Sequence, residues 1–266
     1  MLESMVLRFN VGIVLVLSIA VTSASSVVAQ GQTVEIANLD ALVGADSPLQ
    51  KHERVVFVGD SITMQGGFDE LIDQALREKQ PKLEVKVTRH GLNGGRVPDM
   101  TAGKTPWGQM KPFEEILEEK PTVLILYLGI NDVMHSPGTS PEEFEQGLTE
   151  LVKSAQKTGA AVVLATPAVN GENIDPESAD QQKLDDYAKI SRHVAETLSA
   201  TLCDLRQAFV EHLREHNAEH KHHGILTYDG VHMSDAGNGL IAEQMSQAIV
   251  TALRGRQAAV KNSSGG

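Results

Sequence analysis

Five positions in this chain have side chains or backbone groups that could do chemistry together. The first pair is Asp229 and His232, in Tyr228-Asp229-Gly230-Val231-His232. A three-residue step lets the carboxylate fold back onto the imidazole and fix its tautomer, as an acid does for a general base. Far upstream, Val55-Val56-Phe57-Val58 runs into Gly59-Asp60-Ser61. Ser61 there sits at the tip of an apolar run, with a helix expected beyond it. A serine hydroxyl is a poor nucleophile until a base takes its proton, and an imidazole is suited to that task. Taken alone, Ser61 reads equally well as a helix N-cap.

The remaining candidates are donors. Arg89-His90-Gly91-Leu92-Asn93-Gly94-Gly95 places three glycines in five residues, which lets backbone N–H groups approach a ligand; an ordinary glycine turn has the same composition. Gly94 and Gly95 compete for that role. In Gly129-Ile130-Asn131-Asp132, Asn131 can turn its amide towards a developing negative charge, although Asn and Asp are also common turn residues. Other groups compete for attention. His212-Leu213-Arg214-Glu215-His216 matches a short zinc-protease pattern but suits a solvated helix face as well. His90 and His135 lie near the donors and read as structural or merely exposed. Trp107, the only tryptophan, either lines the site beside a rim formed by Gly103 to Gly108 or packs in the core. Cys203, the only cysteine, cannot form an internal disulfide and reads as a small core residue.

These groups need a scaffold, and the hydrophobic pattern describes one. Strands are expected at Arg54–Val58, Glu84–Thr88, Thr122–Leu128, Ala160–Ala165 and Thr201–Asp204. Most are near-continuous Val, Leu and Ile, as in parallel strands covered on both faces. Helix spacing lies between them: Phe144, Leu148, Leu151, Val152 and Ala155 form one apolar stripe, with Ser140 and Glu143 as a capping box, Pro141 at the first position and Gly159 as terminator. Leu71 to Leu76, Leu184 to Leu198 and Ile241 to Leu253 carry similar stripes. Alternation of this kind predicts a single α/β domain over residues 30–255, a three-layer α/β/α sandwich around a five-stranded, mostly parallel, doubly wound (flavodoxin-like) sheet. Ligands of such sheets bind beyond the carboxyl ends of the strands, where the first three candidate blocks fall, the fourth lying just before the last helix.

The four blocks, in order and spacing from Gly59-Asp60-Ser61 to Asp229-x-x-His232, resemble the SGNH hydrolase superfamily, also called GDSL esterases and lipases. The resemblance implies Ser61 as nucleophile, His232 as base and Asp229 as its partner. It further implies an oxyanion hole of the Ser61 and Gly94 backbone N–H groups with the Asn131 side chain, and no metal or organic cofactor. Asp60 and Asp132 belong to the motifs as loop organisers. Arg89 stands where members often have Asn.

Bulk properties narrow the setting. Arg8, the apolar run Val11 to Val21 and Val27-Val28-Ala29 have the order of a secretory signal peptide, so residues 1–29 are expected to be a leader, with a retained membrane anchor as the alternative. A secreted or periplasmic protein follows. Residues 256–266 are expected to be a disordered tail. The formal net charge of −12 disfavours nucleic acid and anionic lipid surfaces as partners. The expected function is an exported serine esterase that works through an acyl-enzyme on acetylated carbohydrate or another small ester, without stable membrane association. Alternatives are a lysophospholipase or thioesterase, and a non-catalytic binding protein on the same fold.

Overall fold

A computed structural model describes residues 37–264. The leader expected at residues 1–29 lies outside the described residues. Five parallel strands make the main sheet: β1 (Arg54–Gly59), β2 (Lys86–Gly91), β3 (Val123–Tyr127), β4 (Ala161–Ala165) and β5 (Thr201–Cys203), in the order β2-β1-β3-β4-β5. The central strand β3 is buried along its whole length, which explains its uninterrupted Val-Leu-Ile-Leu-Tyr.

Helices cover both faces. On one side α1 (Asp40–Val43), α3 (Phe68–Lys79), α8 (Leu205–His216) and α9 (Asp235–Ser264) pack together; on the other are α4 (Phe113–Leu117), α5 (Ile130–Met134), α6 (Pro141–Lys157) and α7 (Ala179–Thr197). A further short helix, α2 (Ser61–Gln65), stands on the carboxyl ends of β1 and β2. The capping box on α6 forms as expected: Glu143 N–H donates to Ser140 Oγ at 3.2 Å, and Ser140 N–H donates to Glu143 Oε2 at 3.2 Å. The stripe Phe144, Leu148, Leu151, Val152 and Ala155 is buried beneath it.

Three details differ from expectation. β2 starts two residues later than predicted and ends at Gly91, so Arg89 and His90 belong to the strand rather than to the loop beyond it. Glu84 lies in the left-handed region, φ 52°, which turns the chain before pairing with β1 begins at Lys86. β2 is an edge strand with no fully buried residue, so it carried no clean apolar run. Ahead of β1 the chain also forms α1, which no apolar stripe predicted and whose Leu42 is fully buried. Finally, residues 256–266 are not a disordered tail as far as Ser264, because α9 continues to that point. Arg256 forms an ion pair with the buried Glu53 and donates to Thr122 O at 2.9 Å, while Gln257 donates to Pro48 O at 2.8 Å. These bonds tie the extension to the body of the domain.

Candidate active site

The sheet register sets the site. Gly59 at the end of β1 pairs with Gly91 of β2 on one side and Tyr127 of β3 on the other, so three strands finish on one rung. The segments that follow carry Ser61 and Asn131 at the starts of short helices and Gly94 in a loop. The strand order reverses between β1 and β3, and such a switch point leaves a crevice at the carboxyl edge.

α2 begins at Ser61 immediately beyond this rung. Its N-cap is Asp60, whose carboxylate accepts from Ile62 N–H at 2.9 Å; Ser61 is the first helical residue and not the cap. The helix lies so close to the strand ends that only glycine fits below it. A Cβ on Gly59 would stand 2.1 Å from Thr63 Oγ1 and 2.5 Å from Tyr127 O, and one on Gly91 would stand 2.1 Å from Met64 N. Burial pushes the Asp60 carboxyl up to about 7, and the nearby Asp132 adds to the shift.

The loop before α9 brings the imidazole over. His232 Nε2 is 3.0 Å from Ser61 Oγ, and His232 Nδ1 is 2.7 Å from Asp229 Oδ2. The second Asp229 oxygen accepts the backbone N–H groups of His232 at 2.7 Å and Val231 at 2.9 Å. Partial burial opposes ionisation of Asp229, but the His232 ring and these two backbone donors hold its carboxyl below the ordinary range. An ionised carboxylate only accepts, so Nδ1 carries the proton and Nε2 is left to accept from the serine hydroxyl. Tyr228 stacks on His232 with centroids 5.9 Å apart, and its hydroxyl donates to Gln65 Oε1 at 3.1 Å, linking this loop to α2.

The donor side is equally defined. Gly95 N–H donates to Leu92 O at 2.8 Å, whereas Gly94 N–H has no hydrogen-bond acceptor among the described residues. Gly94 holds φ 63°, and a Cβ there would meet the Trp107 ring at 2.4 Å. Asn131 is the second residue of α5 and does not lie in a loop, and its amide donates one hydrogen to Gly95 O at 3.1 Å. Its other amide hydrogen is unengaged among the described residues. The fully buried Asp132 accepts Val97 N–H at 3.1 and 3.3 Å and so anchors the glycine loop; burial raises its carboxyl to about 6. Both motif aspartates organise loops.

Sequence reasoning did not single out Glu172. It is fully buried in the segment after β4, and its carboxylate accepts Ile225 N–H at 2.9 Å, Leu226 N–H at 2.7 Å, the Thr227 hydroxyl at 2.7 Å and Thr227 N–H. Thr227 Oγ1 in turn accepts Gly230 N–H at 3.2 Å. The loop carrying Asp229 and His232 is thus built on a carboxylate over fifty positions away. Gly171-Glu172-Asn173 is a polar stretch without periodicity, so nothing in it marks the acid as special.

The competing groups lie elsewhere or play other parts. His90 Nε2 is 3.2 Å from Glu119 Oε2. Arg89 binds Asp69 and Glu70 of α3. His212 and His216 stack on each other along α8, 4.2 Å between centroids, and no three His, Cys, Asp or Glu side chains converge as a metal set among the described residues. Cys203 is buried at the end of β5, where desolvation pushes its thiol up and away from reactivity. Trp107 is not in the core: it is 62% exposed and packs edge-on against His135, 5.0 Å between centroids.

The GDSL-like lipase/acylhydrolase family model matches residues 57–240. Among solved structures, the acetyl xylan esterase AlAXEase is 31% identical with a TM-score of 0.68, covering 74% of this chain and 100% of its own. An alpha/beta hydrolase enzyme from the metagenome of Lake Arreo, Spain, is 26% identical with a TM-score of 0.65, covering 78% of this chain and 99% of its own. Axe2, an acetylxylan esterase from Geobacillus stearothermophilus, shares the fold at 24% identity and a TM-score of 0.64, covering 76% of this chain and 96% of its own. No curated protein matches the chain at a significant level. With the family model spanning all four motif blocks, the chain belongs to the GDSL-like lipase/acylhydrolase family.

Proposed function

We propose that this protein is a serine esterase that removes acetyl groups from carbohydrate or other small polar esters. One observation carries the reading: Ser61, His232 and Asp229 form a continuous chain of hydrogen bonds, 3.0 Å and 2.7 Å long, at the open carboxyl edge of the sheet. Membership of the GDSL-like family and the likeness to acetyl xylan esterases supports the ester as substrate and acetyl as the acyl group.

In this mechanism His232 Nε2 takes the Ser61 proton as Oγ attacks the ester carbonyl carbon, and the carbonyl π electrons move onto oxygen. The Ser61 and Gly94 N–H groups and the Asn131 amide stabilise that oxyanion. Asp229 stabilises the imidazolium formed beside it. His232 then returns the proton to the leaving alcohol as the C–O bond breaks. Water repeats the sequence on the acyl-serine, releasing acetate and restoring Ser61. None of these steps calls on a metal or organic cofactor. The apolar N-terminal run supports action outside the cytoplasm, where polymeric carbohydrate esters are met.

Hydrolysis of p-nitrophenyl acetate by the wild type and Ser61→Ala tests the reading. The wild type should turn over, and the variant should lose at least about 10³-fold in kcat. Absence of turnover in both would refute it and leave a binding protein on a hydrolase fold, and equal turnover would refute Ser61 as the nucleophile.

A further inference from the structure

Six large hydrophobic side chains are exposed among the described residues, and four of them belong to the segments that build the candidate site. Met64 stands three residues after Ser61 on α2, and Met134 three residues after Asn131 on α5, each on the helical face of its polar partner. Tyr228 stacks on His232, and Trp107 lies against Gly94. The two aromatic members are 54% and 62% exposed, although large aromatics are ordinarily buried.

Trp107 is held there by construction. It occupies the turn of a two-stranded ribbon in which Lys104–Thr105 pairs with Gly108–Gln109. The Thr105 hydroxyl donates to Asn93 O at 2.6 Å and accepts Trp107 N–H at 3.2 Å, tying the ribbon to the glycine loop. His135 supports the indole edge-on. A preordered flat apolar face beside the oxyanion donors is a binding surface waiting for an equally flat ligand.

Resting on the esterase reading above, we infer that Trp107, supported by His135, is the subsite that stacks a pyranose ring of an acetylated oligosaccharide and so sets substrate preference. A pyranose presents a C–H-bearing face to an indole and keeps its hydroxyls in water, which suits a half-exposed platform. A long acyl chain instead needs an enclosed apolar channel. Two cavities among the described residues, one beside Val97, Phe113 and Leu151 and another beside Arg89, Lys111 and Glu119, include none of Ser61, Gly94, Asn131 or His232. The net charge of −12 also opposes an anionic lipid surface but is indifferent to a neutral sugar.

Because Trp107 is the only tryptophan in the chain, its fluorescence reports on this subsite alone. Acetylated xylotetraose titrated into Ser61→Ala should quench or blue-shift that emission with a saturable curve, whereas p-nitrophenyl-free acetate esters of short alcohols should not. In Ser61-competent protein, Trp107→Ala should lower the ratio of kcat/KM for acetylated xylotetraose to that for p-nitrophenyl acetate roughly tenfold, mainly through KM, and Trp107→Phe should recover much of it. An unchanged ratio with silent fluorescence overturns the inference while leaving a Ser61-dependent esterase intact. A rise in activity with acyl length that Trp107→Ala abolishes overturns it in favour of an acyl-chain subsite. Absence of Ser61-dependent turnover on every ester removes the esterase reading itself, and this subsite with it.

Discussion

Asp60 and Ser61 are neighbours in the chain with opposite surroundings. The carboxyl of Asp60 is buried and caps α2, while the Ser61 hydroxyl faces the imidazole at the sheet edge. Burial raises Asp60 from an ordinary value of 3.8 to about 7, so the folded protein holds this proton more tightly than the unfolded chain does. The stabilising contribution is therefore complete in acid and is lost as pH rises from about 4 through about 7. Asp60→Asn keeps an oxygen for Ile62 N–H but cannot titrate. Thermal melts between pH 4 and 7 should give a flatter Tm profile for Asp60→Asn than for wild type; an equally steep profile would assign the dependence elsewhere. Asp229 is shifted the other way by its hydrogen bonds, which suits a group that must remain an anion beside His232.

Two devices operate at the level of elements. α2 is pressed onto the ends of β1 and β2 through Gly59 and Gly91, which sets the height of Ser61 above the sheet. The His232 loop is held from below by Glu172 and from the side by the Tyr228–Gln65 bond. Glu172→Gln keeps the side-chain shape but turns an amide donor towards backbone donors. Such a mismatch costs about 1–3 kcal/mol, and a misplacement near 1 Å can cost ~10²-fold in rate. The expected result is a fall in kcat on p-nitrophenyl acetate of about 10–100-fold with KM little changed, together with a lower Tm. A lower Tm with full kcat would mean that the loop keeps its shape without the carboxylate.

At the scale of the whole molecule, the last helix returns to the start of the first strand. Arg256 in the last helix pairs with Glu53 just before β1, and Glu53 is 2% exposed. Removing one partner of a buried ion pair strands the other, at a cost of about 3–5 kcal/mol. Truncation after Gly255 should therefore lower Tm by roughly 5–15 °C, read by calorimetry, where a disordered tail would leave it unchanged.

The sequence by itself determined the layers and the chemical inventory. Buried parallel strands must be apolar on both faces, so Val123–Tyr127 and Ala161–Ala165 were legible as strands, and a helix must bury one stripe, so Phe144 to Ala155 was legible as well. Ser61, Gly94, Asn131, Asp229 and His232 stood out together, through the order and spacing of four short blocks that singly read as caps and turns. The edge strand β2, half-buried and preceded by a left-handed Glu84, had no such pattern. Five-residue α2 and α5 are too short for a period to emerge. What tertiary structure alone decided is which other groups meet across long separations: Glu172 with residues 225–227, Arg256 with Glu53, and Trp107 with Gly94. Each of those pairings depends on sheet register and loop path, which are settled by packing over the whole domain and leave no mark on the residues nearby.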